Sequence, residues 1–252
     1  MQVITNEPLV KRNRKIATYL FFVSLGILGF GFIAINTNIL GIRSTDAGGA
    51  IPTLYIVGMP LIIVIGFITT LISVRMTNMW LRMPRPEDVI KENLKGLSSK
   101  SRLYNYFHFP ARHVLICPHG VFAIITRYHD GAITVSGDKW KRKRSPLSSL
   151  LNVFRLDDIG NPAREAQEAA NHIRAIIEDY DPDLPVQPIV IFTSPKAKLE
   201  LNNSTVPVFY ADIKATPNFK NHLRDLQKFG QMKGPENLDE FIEEFEAATL
   251  DY

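Results

Sequence analysis

Four histidines, two acids and a block of cations crowd the middle of the chain. His108, His113, His119 and His129 stand close together in sequence, and imidazole is a common metal ligand. Their placement argues against a shared ion. No two lie at i, i+4 on one helix face; His119 sits in a Pro-His-Gly turn, and His113 and His129 open or close apolar runs. Turn or surface histidines are the expectation. Asp130 and Glu165 are the nearby acids, and nothing in their spacing makes a carboxylate pair. Cys117 falls in an apolar run; a single cysteine forms no internal disulfide and reads as a small buried hydrophobe. With no His/Cys cluster beside it, a zinc site has no support. No Walker loop, GxGxxG fingerprint or Ser/His/Asp order is present. No metal or other cofactor is implied.

Residues 139–144 read KWKRKR: Lys139, Trp140, Lys141, Arg142, Lys143 and Arg144. Three readings compete. The cations suit nucleic-acid phosphates, with Trp140 stacking on a base. They equally suit anionic lipid head groups beside a membrane anchor. The plainest reading is a solvated hairpin tip.

The elements that must hold these residues can be read along the chain. After a linker, a helix is expected to start near Pro86, with Val89, Ile90, Leu94 and Leu97 at helical spacing. HVLIC and VFAIITRY read as strands broken by Pro118-His119-Gly120. The second is apolar on both sides through Ile125, as a central strand would be. Asp130-Gly131 signals a hairpin into AITVS, giving an antiparallel meander of three strands. LSSLLNVFRL is ambiguous between helix and strand. Asn161 caps a helix whose first position is Pro162, and Ala166, Ala169, Ala170, Ile173, Ile176 and Ile177 supply its buried face. VQPIVIFTS and TVPVFYAD complete a sheet of about five strands. The last eighteen residues carry seven acids and no base. Leu238, Phe241, Ile242 and Phe245 make this an amphipathic helix, able to dock on its own domain or on a partner.

The N-terminal third is different. Mean hydropathy is 0.00 although 21% of residues are charged, because the apolar residues are concentrated in two runs. Residues 16–40 and 51–74 contain no charge. A helix needs roughly 20 apolar residues to cross a bilayer. The first run is too long for a signal-peptide core and a second follows at once, so a retained anchor is expected. The short polar segment GIRSTDAGGA joins them as a hairpin. Lys11, Arg12, Arg14 and Lys15 precede the first span, and Arg75, Arg82 and Arg85 follow the second, which places both termini and the main domain in the cytoplasm of a cell (inner) membrane protein. Gly26, Gly29 and Gly31 form a small-residue strip for helix packing, against the second span or a foreign subunit. Pro60 is expected to kink the second span.

Residues 113–140, HVLICPHGVFAIITRYHDGAITVSGDKW, together with NPAREAQEAANHIRAII and PIVIFTSP, resemble the nuclease-related domain (NERD), over roughly residues 105–195. That family is of the PD-(D/E)xK class of metal-dependent nucleases. The resemblance implies an α/β fold: a restriction-endonuclease-like mixed sheet with flanking helices, here behind a two-helix transmembrane hairpin. It also implies an aspartate just before the first strand, a Glu-x-Lys ending the second, and a glutamine in the Asn-Pro helix. Those places hold Arg112, Ile125, Arg127 and Glu165. In such enzymes two carboxylates hold a divalent cation that generates hydroxide, and a lysine steadies the developing charge. An arginine and an isoleucine are not ligands for magnesium, which takes hard oxygen donors.

The expected organisation is therefore a basic N-terminus (1–15), a transmembrane hairpin (16–75), a linker and helix (76–100), a NERD-like cytoplasmic domain (101–232) and an acidic C-terminal helix (233–252). The expected function is non-catalytic: an accessory or scaffolding subunit with membrane lipids and protein partners. The alternatives are a membrane-anchored nuclease or nucleic-acid-binding protein, and an accessory subunit of an electron-transport or photosynthetic complex.

Overall fold

The fold was obtained as a computed structural model that describes residues 1–36, 50–143, 159–230 and 234–249. Arg144, the ambiguous LSSLLNVFRL segment and most of the loop joining the two apolar runs lie outside the described residues. The chain divides into two compact units. One is residues 8–83; the other combines residues 1–7 with the described residues from Pro84 onward.

In the first unit, α1 (Glu7–Asn36) begins well ahead of the first uncharged run and α2 (Ala50–Trp80) continues past the end of the second. Residues Glu7–Ala34 and Pro60–Trp80 are each long and apolar enough to cross a membrane. At about 1.5 Å per residue either exceeds the ~30 Å hydrocarbon core. Their apolar side chains point outward: Phe32 is 69% and Phe22 62% exposed. A core helix of a soluble protein would bury such residues. Ser24, Thr69 and Thr70 return their hydroxyls to backbone carbonyls of the preceding turn, so these polar groups are satisfied inside the helix, as an apolar solvent requires.

The expected glycine strip is only partly used. A Cβ at Gly31 would touch Ile62 at 3.7 Å, but at Gly26 and Gly29 it would meet nothing within 4 Å among the described residues. The close approach is at Gly66, where a Cβ would stand 3.1 Å from Ile27 and 3.3 Å from Leu28. Small residues let helices approach where the partner presses, and the partner presses on α2.

The second unit is a mixed α/β domain. Its main sheet has six strands in the order β1-β2-β3-β4-β7-β9: Gln2–Thr5, Arg102–His108, Ala111–Cys117, Gly120–Arg127, Val186–Phe192 and Val208–Tyr210. β2, β3 and β4 are antiparallel; β1 joins β2, β7 joins β4 and β9 joins β7 in parallel. A second sheet, β6-β5-β8, comprises Lys139–Arg142, Gly131–Ser136 and Ala197–Asn202. Helices α3 (Pro86–Asn93) and α5 (Phe219–Phe229) cover one face of the main sheet. α4 (Pro162–Ile177), α6 (Leu238–Thr249) and the second sheet cover the other.

Two expectations change. The meander consists of β2, β3 and β4, because the aromatic run RLYNYFH forms a strand. Asp130-Gly131 does not turn a hairpin back onto β4; Gly131 adopts φ +90 and the chain crosses into the second sheet. Residues 2–5, to which the sequence reading assigned no element, form an edge strand. Asn105 Nδ2 donates to Thr5 Oγ1 at 3.0 Å and Asn6 N donates to Asn105 O at 3.0 Å.

α6 docks on its own domain. Leu238, Phe241, Ile242 and Phe245 enter the core beside α4, Tyr104 donates to Glu246 at 2.7 Å, and Lys100 pairs with Asp239 at 2.6 Å. Gly234, ahead of it, passes so close to the β3–β4 turn that a Cβ would stand 2.7 Å from the Cys117 and Pro118 carbonyl oxygens.

Overpacking a tight contact costs about 1–3 kcal/mol. Gly66→Leu is expected to lower the thermal midpoint of the detergent-solubilised protein measured by circular dichroism, whereas Gly26→Leu leaves it unchanged.

Candidate functional site

Strand alternation places Arg112, Ile125 and Arg127 at one end of the sheet. Along β4, Phe122 and Ile124 face α3 and α5, while Val121, Ala123 and Ile125 face α4. Along β3, Val114 and Ile116 share the α4 face. Arg112 and Arg127 continue these two rows with period two. His113 pairs with Ile124, so Arg112 and Ile125 stand one step beyond, at the end of the sheet remote from the Pro118-His119 turn. The first turn of α4 delivers Glu165 to the same place.

Local sequence explains that delivery. Gly160 takes φ +64, a left-handed conformation that suits glycine. Asn161 Oδ1 accepts the Arg164 amide at 3.1 Å, and Pro162 occupies the first helical position. Glu165 thus lies in the first turn, where the helix dipole favours an anion.

Arg127 fills the space between strand and helix. Its side chain is 11% exposed and ion-paired to Glu165, with Thr126 O accepting at 3.0 Å and Ile159 O at 3.4 Å. Ile125 is 2% exposed and belongs to the core. The arrangement is a self-neutralised cation–anion pair beside a hydrocarbon wall. It offers a single carboxylate, its Oε1 engaged by a guanidinium, where a divalent ion takes several hard oxygens. These residues do not fit such an ion. Among the described residues, no three of His, Cys, Asp and Glu converge as metal ligands.

The four histidines are held apart. His108 is 4% exposed, packed between Tyr104 and Phe245 at ring distances of 6.0 and 4.8 Å. Burial, with His172 nearby, depresses its pKa to about 4. His113 is fully buried; its Nδ1 meets Asn105 Oδ1 at 2.8 Å, and burial, with Arg112 nearby, depresses its pKa to about 3. His119 is half-buried in the β3–β4 turn, and His129 is buried after β4. Three of the four are therefore buried, not surface residues. Burial pushes the Cys117 thiol up to about 11, which makes it an inert hydrophobe.

The basic run lies on β6. Lys139 and Lys141 are exposed, as is Lys143 just beyond, and Arg142 donates from Nε to Asp130 O at 2.8 Å. Trp140 points the other way. It is 9% exposed and stacks on Phe192, ring centroids 6.1 Å apart. Its ring is not presented for stacking on a base, because the period of two that exposes the lysines buries the residue between them.

The sequence reading missed a polar chain at the end of β1, β2 and β3. His113, Asn105 and Thr5 link three strands. Beside them Tyr106 adopts φ +66 at a bulge, and its hydroxyl donates to Glu87 at 2.8 Å. Such a strained residue persists only where its surroundings over-determine it. An aromatic-rich segment carries no periodicity that would reveal this. A cavity of about 410 Å³ opens at the opposite end of the sheet, lined in part by His119, Lys220 and Arg224.

Residues 85–193 match the family model of the nuclease-related domain. The match begins twenty residues before the stretch from which the resemblance was read. It runs from the residue ahead of α3 to the residue after β7, so it takes in the helix α3. No curated protein and no solved structure matches the chain.

Two outcomes follow. Glu165→Gln, which leaves the Arg127 guanidinium with carbonyl acceptors only, is expected to lower unfolding free energy by about 1 kcal/mol in urea titrations, with Arg127→Met non-additive to it. Depressed histidine pKa values mean the unfolded chain binds protons first as pH falls. The stability conferred by neutral His108 and His113 is complete above pH 6.5 and is lost between 6.5 and about 3–4, at about 1.4 kcal/mol per proton per pH unit. His108→Phe is expected to reduce that slope in thermal melts taken over this range.

Proposed function

We propose that this protein is a membrane-anchored nuclease-related domain that does not cleave nucleic acid and serves as an accessory or scaffolding subunit of a membrane assembly. The observation that carries the reading is the Arg127–Glu165 ion pair beside buried Ile125. Ile125 and Arg127 are positions at which the resemblance would put the Glu-x-Lys of the family's metal chemistry. Metal-assisted hydrolysis requires a metal held there to lower the pKa of a bound water. Arg112 adds a positive charge where an acid would be needed.

The anchoring side of the proposal rests on two supports. The two apolar runs are joined by a short polar segment, so two spans would return the chain to the side from which it entered. Arginines and lysines flank both outer ends, which favours the cytoplasmic face of the cell membrane. α6 contributes less to partner binding than its amphipathic pattern suggests, since its apolar face is spent on its own domain.

The nuclease reading is the rival, and the family match favours it. Purified full-length protein should leave single- and double-stranded DNA and RNA intact in magnesium or manganese. Cleavage that follows the protein through purification and disappears with Arg127→Ala would defeat the non-catalytic reading. Gentle purification from membranes followed by mass spectrometry should retain a partner protein; recovery as a lone monomer would defeat the subunit role.

A further inference from the structure

We propose that the outward face of the β6-β5-β8 sheet is a docking surface for anionic lipid head groups. The inward face of that sheet carries Ile133, Val135, Trp140, Ala197, Leu199 and Leu201 and joins the core. Strand alternation then sends a different set outward. Register aligns it in rows: Lys141 opposite Thr134 and Thr134 opposite Glu200; Lys139 opposite Ser136; Lys198 opposite Ala132. Lys143 N donates to Ala132 O at 2.8 Å and extends the second of the outer rows. Lys139, Lys141, Lys143 and Lys198 are all exposed. The centre of the face is built from the small residues Ala132, Thr134 and Ser136. Four ammonium groups therefore flank a low, flat strip.

Little on this face neutralises them. Glu200 accepts from Thr134 at 2.9 Å, and Asp138 accepts from Thr205. None of the four lysines is paired with an acid among the described residues. A like-charged cluster of this kind is unfavourable unless anions approach it.

Two features select lipid over nucleic acid. Among the described residues the face has no aromatic ring, because Trp140 is committed to Phe192 on the other side, and non-specific single-strand binding relies on stacking platforms. The domain is also tethered to the two apolar helices by very short connections. Only Asn6 separates β1 from α1, and residues 81–85 separate α2 from α3. If α1 and α2 cross a bilayer, connections this short keep the domain they tether beside its head groups. A polybasic surface needs such proximity, since its attraction fades over a Debye length of about 8 Å.

The test uses the full chain in lipid nanodiscs, with Ser136→Cys carrying an environment-sensitive fluorophore. Buried Cys117 leaves the introduced thiol as the reactive one. Discs of phosphatidylcholine alone are compared with discs that also contain phosphatidylserine. The expected result is a shift in emission with phosphatidylserine that high salt reverses. Replacing Lys139, Lys141, Lys143 and Lys198 by glutamine should abolish it, each lysine contributing about fivefold to the docked-to-undocked ratio. Equal emission in both lipids overturns the proposal, as does a shift that survives high salt. A response to single-stranded oligonucleotide in phosphatidylcholine discs that exceeds the response to phosphatidylserine also overturns it. If the quadruple variant fails to melt cooperatively, salt reversal of the parent and the single variants decides. Failure of the chain to enter discs at all would instead refute the reading of α1 and α2 as spans.

Discussion

β4 is buried on both faces, and most of the domain is arranged around that condition. From Gly120 to Thr126 every residue is buried, with β3 and β7 as neighbours on either side. Even-numbered side chains feed the core under α3 and α5, and odd-numbered ones feed the core under α4, α6 and the second sheet. A strand so placed has no solvent-facing residue until it ends. A charged group at position 125 would need compensation inside the sheet, whereas isoleucine extends the hydrophobic wall by one step. Arg127 is the first side chain of that row to reach polar surroundings, and Glu165 meets it there. The identity of residue 125 and the Arg127–Glu165 pair are thus physically consistent with each other.

The same strand order explains why the N-terminal residues matter to a domain that otherwise starts eighty residues later. β2 would be an exposed edge with unpaired amides and carbonyls, a liability in any sheet. β1 covers it, and the Thr5–Asn105–His113 chain fastens the cover with buried polar contacts. The apolar helices are in effect an insertion between an edge strand and the sheet it completes.

Charge is sorted by element. Asp239 and Glu246 of α6 meet Lys100 and Tyr104, whereas the lysines of β6 and β8 gather on the outside of the second sheet. A net charge of +4 conceals this separation. The amphipathic pattern of α6 was visible in sequence, but which surface its apolar face would meet was not, because periodicity reports that a face is buried and is silent about its partner.

Local order was readable from residues alone. Uncharged length announced α1 and α2; the Asn161-Pro162 start, the apolar runs of β3, β4 and β7, and the positions of Arg112, Ile125, Arg127 and Glu165 were likewise legible, because each depends on near neighbours in the chain. Other features needed the assembled domain. β1 pairs with residues a hundred positions away. β5 leaves its neighbour for a strand sixty residues later. Trp140 turns inward because Phe192 receives it, Gly66 replaces Gly26 as the close contact, and Arg127 finds Glu165. Each of these is a pairing between distant segments, and a linear pattern carries the period of a face but not the identity of what the rest of the chain brings against it.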